Sequence, residues 1–94
     1  MSERAAGIEQ KLRERLDAVH VEVIDESHQH VGHAGAADGR GHFRVLIVSP
    51  RFQGMGRVAA QRVVYEALGE EMKSEIHALS ISVLTPEQWR GGSA

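Results

Sequence analysis

The spacing of apolar residues changes several times along the chain, and each spacing predicts a different element. Apolar residues recur three and four positions apart within residues 3–18, which predicts an amphipathic helix. Residues 19–24 alternate between apolar and polar, as in a strand with one buried face. Residues 25–41 have no apolar periodicity and predict a long loop. The β-branched run at residues 42–49 then predicts a buried central strand, which Pro50 ends.

The second half of the chain adds a helix, a strand and a short terminal helix. Apolar residues at four-residue steps predict a helix over residues 57–73, and renewed alternation predicts a third strand over residues 76–84. Thr85 is a capping residue, followed by a proline at the first helical position and by Gln88 three residues after the cap. These residues predict a short helix over residues 86–90.

Together these elements predict an α/β (α+β) fold of order α-β-β-α-β-α in one domain spanning residues 1–94. The helix between the second and third strands makes those strands parallel if they are neighbours. We expect a three-stranded mixed sheet with helices covering one face. The predicted core consists of Leu12, Leu16, Val21, Val45, Ile47, Val64, Leu68, Leu79, Ile81 and Val83.

Composition restricts the chemistry that this chain can perform. The chain contains no cysteine, which excludes disulfides, thiolate zinc sites and a cysteine nucleophile. Any site that needs sulfur must take it from another molecule. No G-x-S-x-G, P-loop or G-x-G-x-x-G motif is present, so we predict a binding protein rather than an enzyme. The chain also lacks an apolar leader and a stretch of about 18 apolar residues, so we expect a cytoplasmic protein without membrane contact.

Basic residues are concentrated in the middle of the chain, although the net charge is only −2. Between Gly39 and Tyr65 there are five arginines and no acidic residue: Arg40, Arg44, Arg51, Arg57 and Arg62. A solvated arginine face and a contact with an anion or nucleic acid explain this pattern equally well. In the second case Arg51, Arg57 and Arg62 are the candidate anion-binding residues.

Histidines are the candidate metal ligands, because the chain has six of them. His28, His30, His33 and His42 lie in or beside the predicted loop, and imidazole binds zinc, copper, nickel and iron. The H-x-H-x-x-H spacing can chelate a metal, and a polar loop with solvated histidines is the alternative. His77 falls in phase with the apolar face of the third strand, where a histidine is more often a hydrogen-bonded core residue than a ligand.

Four segments follow one another along the chain: IEQKLRERL, VIDESHQH, GHFRVLIVSPRFQG and EIHALSISVLTPEQW. In this order they resemble the BolA-like family, and the resemblance covers Ile8 to Trp89. The resemblance implies a KH-like fold of the second topological class. It also implies a monothiol glutaredoxin as partner, with the chain monomeric alone and heterodimeric in the complex. The HVGHAGA loop fits the variant of the family whose loop carries histidine rather than cysteine.

The resemblance further implies a [2Fe-2S] cluster shared by the heterodimer, for cluster trafficking or for iron or redox sensing. The partner's cysteine and a glutathione that the partner binds supply thiolates, and the BolA-like protein supplies histidines. Carried over by motif, the ligands are His77 before Ala-Leu and His30 after E-S-x-x, with His33 as an additional candidate. His28 and His42 are expected to contribute little.

The chain departs from the common family pattern in its second helix. Many members have R-H-R where this chain has Ala60-Gln61-Arg62, so this helix offers no third histidine ligand. We expect Arg51, Arg57 and Arg62 to dock on the acidic face of the partner or on the glutathione carboxylates. We also expect the loop at residues 25–41 to be mobile in the isolated protein and to order on partner binding.

Nucleic-acid binding is the alternative function. KH-like domains hold single strands with a GXXG loop, and some family members are described as transcription regulators. Gly54-Met55-Gly56 is one residue short of that motif, and the chain has few aromatic residues for stacking. The arginine-rich segment supports DNA as the alternative partner.

Overall fold

The elements follow the predicted order, with one helix divided in two. The computed structural model describes residues 3–26 and 41–91. Within them lie a 3-10 turn at Pro50–Phe52 and the elements α1 Glu3–Arg15, β1 His20–Asp25, β2 Gly41–Val48, α2 Arg57–Leu68, α3 Glu71–Ser74, β3 Ile76–Leu84 and α4 Pro86–Arg90. The bounds of β3 and α4 match the predicted ones. Most of the predicted loop, residues 27–40, lies outside the described residues. Its mobility therefore stays a prediction.

The central strand of the sheet is β2. β1 runs antiparallel to it, with Val21 opposite Ile47, and β3 runs parallel to it, with Ile81 opposite Val45. Because α2 lies between β2 and β3 in the chain, it forms the crossover that two parallel neighbours require. The predicted three-stranded mixed sheet is confirmed.

The core lies between α1, α2 and one face of the sheet. Seven of the ten predicted core residues are buried, whereas Leu79, Ile81 and Val83 are only partly buried. These three residues lie on β3, which is an edge strand of the sheet formed by residues 20–25, 41–48 and 76–84. Phe43 and Ile76 are each 1% exposed and belong to the core, although the prediction did not include them.

The predicted helix over residues 57–73 is wrong as one element, because it breaks at Gly69. Gly69 has φ 53° and ψ −114°, a conformation that residues with a Cβ rarely adopt. Its N–H donates to the Tyr65 carbonyl (2.9 Å) and so ends α2. α3 then forms a separate turn of helix before β3 begins.

Ion pairs attach α1 to the segment around α3. The ammonium of Lys11 pairs with the carboxylate of Glu71, and Arg4 Nε lies 2.9 Å from Glu75 Oε1. The hydrogen bond from Lys11 lowers the pKa of Glu71 below its usual value. These contacts hold the start of β3 against the first helix.

The last helix reaches the opposite face of the sheet. Thr85 and Gln88 form a capping box, in which each side chain bonds the other residue's backbone N–H. Trp89 stacks on His20 with ring centroids 4.7 Å apart and planes inclined by 20°. His20 points away from the core, since its neighbour Val21 is buried, so Trp89 contacts the outer face at this end of the sheet. None of the helices in the described segments is long and apolar enough to cross a membrane.

Candidate metal-ligand site

His77 is the extra residue of a β-bulge at the start of β3. Gly41 is opposite Ile76 and His42 is opposite Ala78, so β3 advances two residues where β2 advances one. Ile76 therefore faces the core and Leu79 packs against it, while His77 and Ala78 are both exposed. Bulges are frequent next to functional sites because they redirect a side chain.

The predicted phase of His77 is consequently wrong. Simple alternation places His77 on the same face as Leu79, but the inserted residue shifts the phase of the strand between them. The imidazole is exposed and does not lie in the apolar core. His77 is therefore not a core histidine.

A second histidine lies beside His77. The ring centroid of His42 is 5.0 Å from that of His77, and the two planes are inclined by 42°. His42 is half-buried, its Nε2 is buried, and the small side chain of Ala78 is opposite it in the register. Sequence reasoning did not select His42. The signal was available, because parallel strands begin at the same edge of a sheet and both histidines lie at strand starts.

The ends of the loop are anchored at this pair. The Glu26 N–H donates to the His42 carbonyl (2.8 Å), and the Gly41 N–H donates to the Glu75 carbonyl (3.0 Å). The loop histidines His28, His30 and His33 lie outside the described residues. The segment that carries them therefore leaves and re-enters the fold beside His42 and His77.

The described residues do not complete a metal site by themselves. Within residues 3–26 and 41–91, no group of three or more His, Cys, Asp or Glu side chains is arranged to hold an ion. The arrangement offers two neighbouring imidazoles, and any further ligand must come from another part of the chain or from another molecule.

The three candidate arginines do not form one uniform surface. Arg51 pairs with Asp17 (Nη2 to Oδ2, 2.9 Å) and is already neutralised, whereas Arg57 and Arg62 are exposed on α2 without an ion pair among the described residues. Two exposed apolar residues accompany them on this helix, Val58 (69% exposed) and Tyr65 (42% exposed). We call these four residues of α2 the α2 surface.

Arg57 also contributes to a groove of about 790 Å³ between the residue 53–57 turn, β3 and α4. Phe52 and Ile81 contribute apolar lining, and Gln53, Gln61 and Gln88 contribute amide groups. Its lining contains two charged residues, Arg57 and Glu87. It lies towards the end of β3 that carries α4, away from His77 at the strand start.

Comparison with known proteins places the chain in a family. The model of BolA-like proteins matches residues 12–88. The chain is 45% identical over 93 residues to SufE-like protein 1 of Arabidopsis thaliana, covering 94% of this chain and 25% of that protein. It is 39% identical over 84 residues to the DNA-binding transcriptional regulator BolA of Escherichia coli, covering 89% and 77%.

Solved structures show the same fold. The solution structure of BolA1 from Mus musculus superposes with a TM-score of 0.80 at 40% identity, covering 100% of this chain and 74% of that one. The chain spans between 25% and 66% of the length of three plant and mouse relatives. One relative is named chloroplastic/mitochondrial, so the cytoplasmic location stays a prediction. Because the family model covers most of the sequence and the fold is shared, the chain belongs to the BolA-like family.

Proposed function

We propose that this BolA-like protein is the partner of a monothiol glutaredoxin and supplies histidine ligands to a shared [2Fe-2S] cluster. The role in the cell is cluster trafficking or iron or redox sensing. His77 is the principal ligand, and a loop histidine, His30 or His33, is the second.

The orientation of His77 carries the proposal. The bulge turns this imidazole out of the core while Ile76 and Leu79 anchor the strand on either side of it. Sites built on rigid strands hold their ligands more accurately than sites on loops. His30 lies four residues after Glu26, so the chain restricts it to within about 14 Å of that residue. A loop histidine can therefore reach the same site.

The donor groups fit a shared cluster. Iron–sulfur clusters are held by thiolates, and histidines replace two of them in Rieske centres. A chain without cysteine supplies no thiolate, so it can join such a cluster through its imidazoles. The resemblance to the family implies that the thiolates come from the partner and its bound glutathione. The shared cluster would supply one-electron redox chemistry or be passed on whole, while His77 fixes its position on this chain.

The α2 surface is suited to docking the partner. Tyrosine and arginine are enriched in protein interfaces, and a guanidinium pairs bidentately with a carboxylate. Arg57 and Arg62 have no ion pair among the described residues, and Val58 and Tyr65 give exposed apolar area next to them. α2 runs back toward the strand starts, so its Tyr65 end lies at the end of the sheet that carries His77. Arg51 is expected to contribute less, because Asp17 neutralises it.

Reconstitution tests the proposal directly. The chain is mixed with a monothiol glutaredoxin, ferrous iron, sulfide and glutathione, and the product is separated by size. We expect a one-to-one complex whose visible absorption and circular dichroism differ from those of the glutaredoxin homodimer. A mixture that contains only the homodimer spectrum would refute the proposal.

The second candidate is a nucleic-acid-binding regulator. A relative bears the name DNA-binding transcriptional regulator, and two guanidinium groups of α2 are available for phosphate contacts. Filter binding at two salt concentrations discriminates between the candidates, because phosphate contacts lose affinity steeply with salt. Salt-sensitive DNA binding that Arg57→Ala and Arg62→Ala weaken would favour this candidate.

A further inference from the structure

We infer that His42 and His77 form a bidentate site for a divalent transition-metal ion in the isolated chain. The inference concerns a single ion such as Zn²⁺ and does not need the glutaredoxin. It therefore stands or falls separately from the shared cluster.

The separation of the two rings fits a common metal ion. Zinc binds imidazole nitrogen at about 2.0–2.1 Å, which places each ring centre about 3.2 Å from the ion. Two such rings on a tetrahedral ion have centres about 5.2 Å apart. The observed separation is 5.0 Å, and the planes are inclined by 42° rather than stacked. The separation of the two ring centres therefore matches that of two imidazoles on one ion.

The backbone restrains both histidines in this arrangement. His42 and His77 lie on neighbouring parallel strands, and the bulge between them turns the His77 side chain outward. The neighbours Phe43 and Ile76 are each 1% exposed and fix the two strands in the core. A chelate of two pre-positioned ligands loses little side-chain entropy when it binds an ion.

The His77 side of the site is open to solvent. His77 and Ala78 are exposed, and the described residues offer no third protein ligand. Two coordination positions of a tetrahedral ion therefore remain for water or a ligand from another molecule. Imidazole ligands favour zinc, copper, nickel and iron over magnesium or calcium.

Isothermal titration of the tag-free protein with Zn²⁺ tests the inference. A variant with His28, His30 and His33 all changed to Ala removes the loop histidines and leaves the pair intact. We expect this variant to bind one zinc ion per chain. We expect His42→Ala and His77→Ala each to weaken zinc binding by at least about tenfold. Loss of a group that only supports a ligand costs about this much, so loss of the ligand itself should cost no less.

Three further variants separate ligation from folding. His20→Ala removes a described histidine at the other end of the sheet and should leave zinc affinity unchanged. His42→Gln retains a polar side chain and should lose affinity as His42→Ala does. His77→Cys supplies a thiolate, also a zinc ligand, and should restore most of the affinity lost in His77→Ala. Far-UV circular dichroism checks that each variant is folded.

The contrary results are equally definite. If the triple loop variant binds no zinc, the loop histidines are the site and the inference is wrong. If His42→Ala binds zinc as tightly as the unchanged protein, the two rings make only an aromatic contact, which is also stable at this separation.

Discussion

The direction of an imidazole depends on the backbone that carries it. His77 projects from a strand whose neighbouring residues Ile76 and Leu79 pack in or against the core, so its Cβ direction is fixed by packing rather than by its own contacts. A ligand held in this way keeps its geometry when a metal or a partner arrives. This restraint is the reason for ranking His77 above the loop histidines.

We expect His77→Ala to abolish the spectrum of the heterodimeric cluster, because the best-restrained ligand is lost. Visible circular dichroism of the reconstituted complex measures the effect, and His20→Ala serves as the matched control. A spectrum that His77→Ala leaves unaltered would overturn the ligand assignment.

His30→Ala should shift the spectrum and weaken cluster retention without eliminating the complex, since His33 can take its place. His28→Ala should have little effect. A spectrum altered only by His33→Ala would show that His33, not His30, is the loop ligand.

The pair of Lys11 and Glu71 should make stability depend on acidity. Because the pKa of Glu71 is lowered in the folded state, the pair stabilises the fold above the unfolded value of 4.5 and loses its effect as the pH falls through the folded pKa. Glu71→Gln should therefore lower the free energy of unfolding by up to about 1 kcal/mol at pH 7 and by progressively less as the pH falls below 4.5.

Urea unfolding at several pH values measures this difference. Glu66→Gln is the control, because Glu66 is exposed and has no ion pair among the described residues. A loss for Glu71→Gln that is the same at pH 3 as at pH 7 would contradict the prediction.

The sequence identified the residue His77 but not its surroundings. The histidine was selected by motif, yet its face was misassigned, because a bulge depends on pairing between strands that are distant in sequence. His42 was passed over although the predicted parallel pairing put both histidines at strand starts on one edge of the sheet; only their exact separation depends on the register of β2 and β3. The spacing of residues within one strand does not predict its register with another strand.

At the scale of elements, a single glycine determines where α2 ends. The apolar four-residue steps continue to Met72, so the pattern predicts one long helix. Gly69 adopts a positive φ that reverses the chain, and Met72 packs partly buried against the core from the separate helix α3. The four-residue spacing of apolar residues is therefore shared between two helices, α2 and α3.

Two glycine substitutions should act in opposite directions. Gly69→Ala forces a Cβ into φ 53° and should destabilise the fold by about 1–2 kcal/mol. Gly7 lies within α1, and beyond its own stretch of helix nothing is within 4 Å of an added Cβ, so Gly7→Ala should stabilise the fold by about 0.5–1 kcal/mol. Thermal melts of the two variants test both signs, and equal shifts in Tm would contradict the assignment of the break.

The α2 surface should influence association more than the stability of the complex. We expect the double variant Arg57→Ala and Arg62→Ala to slow binding to the glutaredoxin at low salt, because exposed charges steer encounter and are screened by ions. Arg13→Ala is the control, since Arg13 pairs with Glu9 on α1. An unchanged association rate at low salt would exclude this surface from docking.

At the scale of the molecule, the order of elements and the mixed sheet were predictable because each follows from local spacing and from the crossover rule. Most of the predicted core is buried for the same reason. The position of α4 was not predictable: its capping box marks where the helix begins, but the stacking of Trp89 on His20 depends on the twist and width of the finished sheet.

That stacking gives the protein an intrinsic optical reporter. Trp89 is the only tryptophan in the chain, and its indole lies against a residue of the first strand although it belongs to the last helix. Its fluorescence therefore registers whether the two ends of the fold are together, without any label. If the emission changes before the far-UV circular dichroism during denaturation, α4 detaches before the sheet unfolds. If the two transitions coincide, the molecule unfolds as one cooperative unit.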